Sequence, residues 1–167
     1  MWYVDSIGLV KTPRGVTIDG IQHPRNIFTL WSKPDLAAIG IKPASITSVD
    51  SRYSNTGAIT WDTSGAEAVG TYATTDKDAA ALKTSMTDSV QSQAGSLLSG
   101  SDWYTIREAD GGTACPADWK TYRAAVRTES NSKVTAIAAL ADLDAIKAFD
   151  AATPITAGWP NDPDYSA

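Results

Sequence analysis

The sequence predicts an α+β protein in which an N-terminal antiparallel β hairpin and meander precede a C-terminal helical hairpin. Short runs of alternating apolar and polar residues fill the N-terminal part, and the apolar spacing changes to three or four residues from Thr75 onward. Strands followed by helices are typical of the α+β class. We expect a β-rich part over residues 1–74, a helical hairpin over 75–150 and a Pro-containing extended tail over 151–167.

The first predicted element is a β hairpin over residues 16–23. Apolar and polar residues alternate on both sides of Asp19-Gly20, and these residue types tolerate the positive φ angles of a two-residue hairpin turn. Residues 27–31 (IFTLW) predict a further strand. Ser32 then predicts the N-cap of a short helix that ends at Gly40.

A small antiparallel meander is predicted after this helix. Its β-type runs are separated by turn clusters, SNTG and DTSG, and each run carries an aromatic residue available for cross-strand pairing. The predicted strands are residues 46–53, 58–61 and 69–72, and their aromatic residues are Tyr53, Trp61 and Tyr72.

A long helix is predicted between Thr75, which forms a capping signature with Asp78, and Gly100. Its apolar residues form one narrow stripe, and the opposite face is polar. Such a stripe either packs inside a helical hairpin or forms a seam with another chain, and the sequence leaves both alternatives open. The seam residues are Leu82, Met86, Val90 and Leu97.

A second helix is predicted to start at Pro116, because proline is favoured in the first turn. Asp142 predicts the cap of a third, short helix over residues 143–149, and three later prolines exclude a helix in the tail. The apolar stripe of the second helix contains Trp119, Tyr122, Val126, Val134 and Ile137.

Charge and hydropathy exclude several classes of function. The net charge is −5 and the basic residues are scattered, which argues against nucleic-acid binding because that needs a basic surface. No window approaches the roughly 20 apolar residues of a membrane span, so we expect no membrane contact. The only cysteine, Cys115, has no partner for an intrachain disulfide.

Residues suited to catalysis are sparse. His23 is the only histidine and precedes a proline, which favours a turn histidine over a catalytic base. Cys115 has no paired histidine at a recognisable spacing, and the DGG sequence at 110–112 fits a turn. Acidic pairs two residues apart fit helix caps or the tail, although a glycosidase-type pair would not be visible in sequence. We expect no enzymatic activity, no cofactor and no metal.

The aromatic composition favours interfaces. Six Trp and six Tyr stand against two Phe, so nearly every aromatic side chain carries a polar group. Eight of these twelve residues divide into a β group and a helical group. The β group is Trp31, Tyr53, Trp61 and Tyr72, and the helical group is Trp103, Tyr104, Trp119 and Tyr122.

Three segments resemble a recurring bacteriophage module. Residues 101–107 (SDWYTIR) and 116–127 (PADWKTYRAAVR) fit its D-W step, variable loop and W-x-x-Y-R-x-x-(V/L)-R helix. Residues 31–41 (WSKPDLAAIGI) resemble its L-x-x-(I/L)-G-I segment. Over about residues 28–131 the chain is therefore similar to tail fibre assembly proteins, which are chaperones of receptor-binding fibres, and to related small tail proteins.

The resemblance implies a non-enzymatic bacteriophage tail protein that binds the tail fibre, as an assembly chaperone or a fibre-attached subunit. Its location is then the virion tail or the cytoplasm of the infected bacterium, and its partner is a fibre of trimerising chains. The motif residues either hold the helical hairpin together or contact the partner directly. The candidate partner-binding residues are Trp103, Tyr104, Trp119, Tyr122, Arg123, Val126 and Arg127.

A different class of function is a structural virion subunit, such as a fibre, baseplate or capsid-decoration protein. Such a subunit would form a homo-oligomer through the narrow stripe of its long helix. An enzyme is the third alternative, and no motif in the sequence supports it.

Overall fold

A computed structural model describes residues 1–164 of the chain. It contains two compact units, one formed by Met1–Thr75 and one that begins at Asp76. The first unit holds the strands and two short helices, and the second holds four helices. The α+β class is therefore confirmed.

The first unit contains a mixed five-stranded sheet in the order β2-β1-β5-β7-β6. β1 is antiparallel to both β2 and β5, whereas β5 and β7 are parallel, with Ala44 opposite Ala68. The sequence predicted only antiparallel strand pairs in the meander, so the parallel pairing of β5 with β7 differs from that prediction. The strands of this sheet are β1 (Trp2–Val4), β2 (Gly8–Val10), β5 (Ile41–Ile46), β6 (Ser54–Asp62) and β7 (Ala68–Asp76).

The predicted β hairpin is present as β3 (Val16–Ile18) and β4 (Ile21–His23), which form a separate two-stranded sheet. Asp19 has φ 49° and Gly20 has φ 81°, the two consecutive positive angles of a tight hairpin turn. Because side chains alternate along a strand, Val16 and Ile18 enter the core while the residue between them stays exposed.

The strand predicted at residues 27–31 is wrong. The segment forms the one-turn helix α1 (Ile27–Leu30), followed by α2 (Lys33–Ala38), whose Ser32 cap is confirmed by its acceptance of the Asp35 N–H. Ile27 and Phe28 are both buried, whereas a strand would point neighbouring side chains to opposite faces. Short apolar runs do not distinguish the two states by periodicity.

The strand predicted at residues 46–53 is displaced, because β5 instead begins directly after Gly40. Pro43 lies inside β5, and proline normally argues against a central strand. Gly40 has φ 75°, and its carbonyl accepts the Asp5 N–H at 3.0 Å, which places β5 beside β1. The core of this unit consists of Val4, Val10, Val16, Ile18, Ile27, Phe28, Leu36 and Ile41.

The second unit contains α3 (Ala79–Ser99), α4 (Asp102–Ala109), α5 (Ala117–Ala139) and α6 (Leu143–Ala152). α3 packs along α5 and also contacts α6. The N-cap of α3 is Asp78 rather than Thr75, because β7 continues to Asp76. The predicted Asp142 cap of α6 is confirmed, since its carboxylate accepts the Ala145 N–H at 2.9 Å.

The apolar stripe of α3 lies inside the second unit. Val90 is fully buried, and Ala94 belongs to a cluster with side chains of α5. Leu82, Met86 and Leu97 are half-buried. Packing within the helical hairpin, the first of the two alternatives, therefore accounts for this stripe. The buried cluster consists of Ala94, Cys115, Trp119, Tyr122 and Val126, with Leu97, Leu98, Tyr104 and Trp159 packed against it.

The segment after α6 is held against the helices and is not a free extended tail. Trp159 packs on the buried cluster and donates its Nε1–H to the Ile155 carbonyl at 3.1 Å. The buried Lys133 donates its ammonium to the Ala157 carbonyl at 2.7 Å and pairs with Glu129 at 3.1 Å. Residues 165–167 of the predicted tail lie outside the described residues.

Candidate partner-binding surface

The start of α4 is fixed by one buried guanidinium from α5. Arg123 donates from Nη1 to the Leu98 carbonyl at 2.9 Å and to Ser101 Oγ at 2.7 Å, and its Nη2 pairs with Asp102 at 2.8 Å. Ser101 is fully buried and donates its own hydroxyl to Leu98. Charge-assisted hydrogen bonds are stronger than neutral ones, so these contacts set the angle at which α4 leaves α3.

An exposed aromatic face lies on α4. Trp103 is 51% exposed and Ile106, one helical turn later, is 61% exposed. The Trp103 ring stacks on Tyr104 with centroids 3.9 Å apart. The Arg107 guanidinium lies 4.7 Å from the Trp103 centroid, a cation–π distance. Trp103, Ile106 and Arg107 line an open groove, completed by Asp110 and Gly112, which we call the α4 surface.

The loop after α4 keeps the α4 surface in place. Arg107 donates its Nε–H to the Thr113 carbonyl at 3.1 Å, and a Cβ at Gly112 would lie 2.9 Å from the Arg107 carbonyl oxygen. Only glycine therefore lets the loop turn this tightly against the end of the helix. The loop therefore holds the Arg107 guanidinium where it makes its cation–π contact with Trp103.

An ion pair closes the same loop onto α5. Glu108 accepts hydrogen bonds from the Lys120 ammonium at 2.7 Å and from the Cys115 N–H at 3.3 Å. These two contacts, with that of Lys120 the larger, lower the pKa of Glu108 below its ordinary value. The same hydrogen bond raises the pKa of Lys120.

A chain of aromatic contacts connects the α4 surface with the interior. Tyr104 lies 5.6 Å from Trp119, and Trp119 meets Tyr122 edge-on at 5.6 Å. Tyr122 donates its hydroxyl to the Leu97 carbonyl at 3.3 Å, and burial followed by the nearby Asp162 carboxylate raises its pKa. This side chain therefore supports the hairpin as a neutral hydrogen-bond donor.

The structure separates the sequence-predicted site residues into two groups. Trp103 and Arg127 are exposed and Tyr104 is half-buried, whereas four others are buried within the helical unit. Internal packing, the alternative left open by the sequence, accounts for those four. They are Trp119, Tyr122, Arg123 and Val126.

Ile106 and Arg107 belong to the α4 surface and were missed as site residues. Both stand in the SDWYTIR segment, three and four positions after Trp103, which is the spacing of one helix face. Assigning a helix to residues 102–109 would have found them. The segment is short and presents its apolar residues to solvent, so it has no core-facing stripe from which a helix is recognised.

The two residues considered for catalysis, His23 and Cys115, belong to different units. His23 lies in the first unit with its ring 5.7 Å from Trp31, and Cys115 is buried in the second unit. Across residues 1–164, no three His, Cys, Asp or Glu side chains are placed to hold a metal ion. Over the same range, no helix has the length and hydropathy needed to span a membrane.

Comparisons with known proteins give no relative. The chain matches no protein-family model, no curated protein and no solved structure.

Proposed function

We propose that this protein is a non-enzymatic bacteriophage tail protein that binds the tail fibre, as an assembly chaperone or a fibre-attached subunit. Its site of action is the virion tail or the cytoplasm of the infected bacterium. The α4 surface is the binding site, and its partner is an apolar region of a fibre whose chains trimerise. The choice of a tail fibre as the partner rests on the sequence resemblance, and the choice of the binding residues rests on the α4 surface.

The observation that carries this proposal is the exposure of Trp103 and Ile106 on a helix that is otherwise firmly held. A partner that covers a half-exposed tryptophan gains free energy by removing apolar surface from water. Tryptophan and arginine are the residues most enriched among those that dominate protein interfaces. Arg107 is held by the loop and by the indole, so little side-chain entropy is lost when a partner docks.

The structure weighs against one form of the alternative function. A virion subunit that self-associates through its long helix needs the α3 stripe at the surface, but Val90 and Ala94 are buried within the helical unit. Exposing them would open the hairpin and lose its core. The fibre-binding proposal uses side chains that already face solvent.

Co-expression with a fibre chain encoded beside this protein tests the proposal. We expect soluble, trimeric fibre when the protein is present, and loss of that effect with the double variant Trp103→Ala and Ile106→Ala. The matched control is Trp31→Ala, which removes a tryptophan of similar exposure from the first unit. Equal yields of trimeric fibre without the protein would contradict the chaperone form, and absence of co-purification would contradict fibre binding altogether.

A further inference from the structure

The five-stranded sheet ends in two edges of very different length. β2, at one edge, has three residues, whereas β6, at the other, has nine. Short edge strands are one of the ways in which proteins avoid unwanted strand pairing. The β2 edge is protected because it is short, and the β6 edge lacks this protection.

β6 also has few of the residue types that usually protect an edge. β6 contains no proline, and its only charged residue is Asp62, the last of the strand; the only charged residue of β7 is Asp76, also the last of its strand. Lysine, proline or an inward-pointing charge normally prevents an exposed edge from pairing with another strand. Asn55 to Ala58 and Thr60 are all exposed.

The β6 strand is nevertheless well fixed in the sheet. Ile59 and Trp61 cover Gly70 of β7 so closely that a Cβ there would lie 2.8 Å from the Ile59 methyl and 3.0 Å from the indole. The Trp61 ring also packs on Tyr3, with centroids 4.9 Å apart. A strand that is held on one side and open on the other is preorganised to accept a further strand.

The outer half of the β6–β7 pair has little support from the rest of the sheet. β5 pairs with β7 only at Ala68, Val69 and Gly70. Beyond Gly70 the two strands run as a two-stranded ribbon, and such ribbons are marginally stable on their own. An added strand along β6 would convert the ribbon into a three-stranded sheet.

We propose that β6 pairs antiparallel with β6 of a second copy of this chain, about a two-fold axis at Ala58. In this register the two large side chains of β6, Ile59 and Trp61, oppose the partner's Gly57 and Asn55. Thr56 faces the partner's Thr60, Gly57 faces the partner's Ile59, and Asp62 faces the partner's Ser54, so no like charges oppose one another.

The length of the two edges determines the stoichiometry. Pairing of β6 with β6 is isologous, uses each long edge once and closes at a dimer. Pairing of β6 with β2 would leave most of the long edge uncovered, since β2 spans three residues. A second copy is therefore the occupant whose edge matches β6 in length. The dimer is independent of the α4 surface, so either proposal can fail while the other stands.

Directed cross-linking tests the register. In a Cys115→Ala background, Ala58→Cys places two thiols opposite each other at the axis, where antiparallel Cα atoms lie about 4.5–5.5 Å apart, within disulfide range. The matched control is Thr56→Cys, on the same strand and face. Its two copies would lie about 14 Å apart, because they are offset by four residues at about 3.4 Å each. We expect a cross-linked dimer from Ala58→Cys alone under mild oxidation.

Analytical ultracentrifugation of the full chain tests the stoichiometry without cross-linking. We expect twice the chain mass for the wild type and a single chain mass for Ala58→Lys, which opposes two ammonium groups at the axis. Ala124→Lys, at an exposed position of α5, is the matched charge control and should stay dimeric. A monomeric wild type, a dimer that survives Ala58→Lys, or equal cross-linking of Ala58→Cys and Thr56→Cys would each overturn the proposal.

Discussion

At the scale of single residues, Arg123 and Arg127 of α5 have different roles although they are one turn apart. Arg123 is 6% exposed and makes three charge-assisted contacts, whereas Arg127 faces solvent. Their spacing in the sequence shows only that they share one side of the helix. Which of them is buried depends on where α4 begins, and that is a tertiary contact that residue patterns do not encode.

Replacing Arg123 with Met should lower the free energy of unfolding by about 2 kcal/mol, because buried hydrogen bonds from a charged group are lost while the volume is kept. Arg127→Met, the matched control, should change it by less than about 0.5 kcal/mol, as is usual for an exposed position. Urea denaturation followed by circular dichroism measures both. Equal effects of the two changes would show that Arg123 does not fix the start of α4.

The Glu108–Lys120 pair should make stability depend on pH on the acidic side. The pKa of Glu108 is lowered in the folded state, so its contribution is present above the ordinary value of 4.5 and is lost as the pH falls through the folded value. We expect wild type to resist urea better than Glu108→Gln at pH 7, with the difference shrinking below pH 4.5. Urea midpoints measured between neutral and acidic pH check this. A difference that does not change with pH would contradict the assignment.

At the scale of elements, the β3–β4 hairpin tests the role of local backbone geometry. Gly20 adopts φ 81° and has open space around it, so Gly20→Ala adds no clash but forces a left-handed backbone on alanine. We expect a loss of about 1 kcal/mol in the free energy of unfolding. Gly15→Ala, in the same unit but without a positive φ, is the control and should be close to neutral. Thermal unfolding of both variants measures the difference. Equal losses would contradict the turn assignment.

Elements with a local cause were predictable from the sequence. The hairpin follows from Asp19-Gly20, and two helix starts follow from the Ser32 and Asp142 caps. Elements that depend on contacts with distant residues were not predictable from the sequence. The parallel pairing of β5 with β7 joins segments separated by β6, and α4 is held by a side chain 21 positions beyond its first residue. Short-range patterns carry no information on such contacts.

The candidate site was predictable in part, for the same reason. Trp103 was identified from its motif, and the structure places it at the surface. Trp119 and Tyr122 carry the same aromatic signal but lie in the core, because the face of α5 that they occupy packs against α3. Aromatic residues at helical spacing occur both in cores and at interfaces, so the sequence leaves the division open.

At the scale of the whole molecule, the two proposals assign different surfaces to the two units. In these proposals the first unit binds a second copy through the β6 edge, and the second unit binds a fibre through the α4 surface. A dimer would then carry two fibre-binding surfaces, which raises the effective concentration for a partner with repeated sites. Such multivalency suits a fibre built from several identical chains.

Equilibrium binding to purified fibre tests the central claim most directly. The fibre is immobilised, and the dissociation constants of wild type, the Trp103→Ala and Ile106→Ala double variant, and Trp31→Ala are compared. We predict at least about tenfold weaker binding for the double variant, since buried aromatic anchors carry most of the free energy of an interface, and unchanged binding for Trp31→Ala. Unchanged affinity of the folded double variant would contradict the claim that the α4 surface binds the fibre.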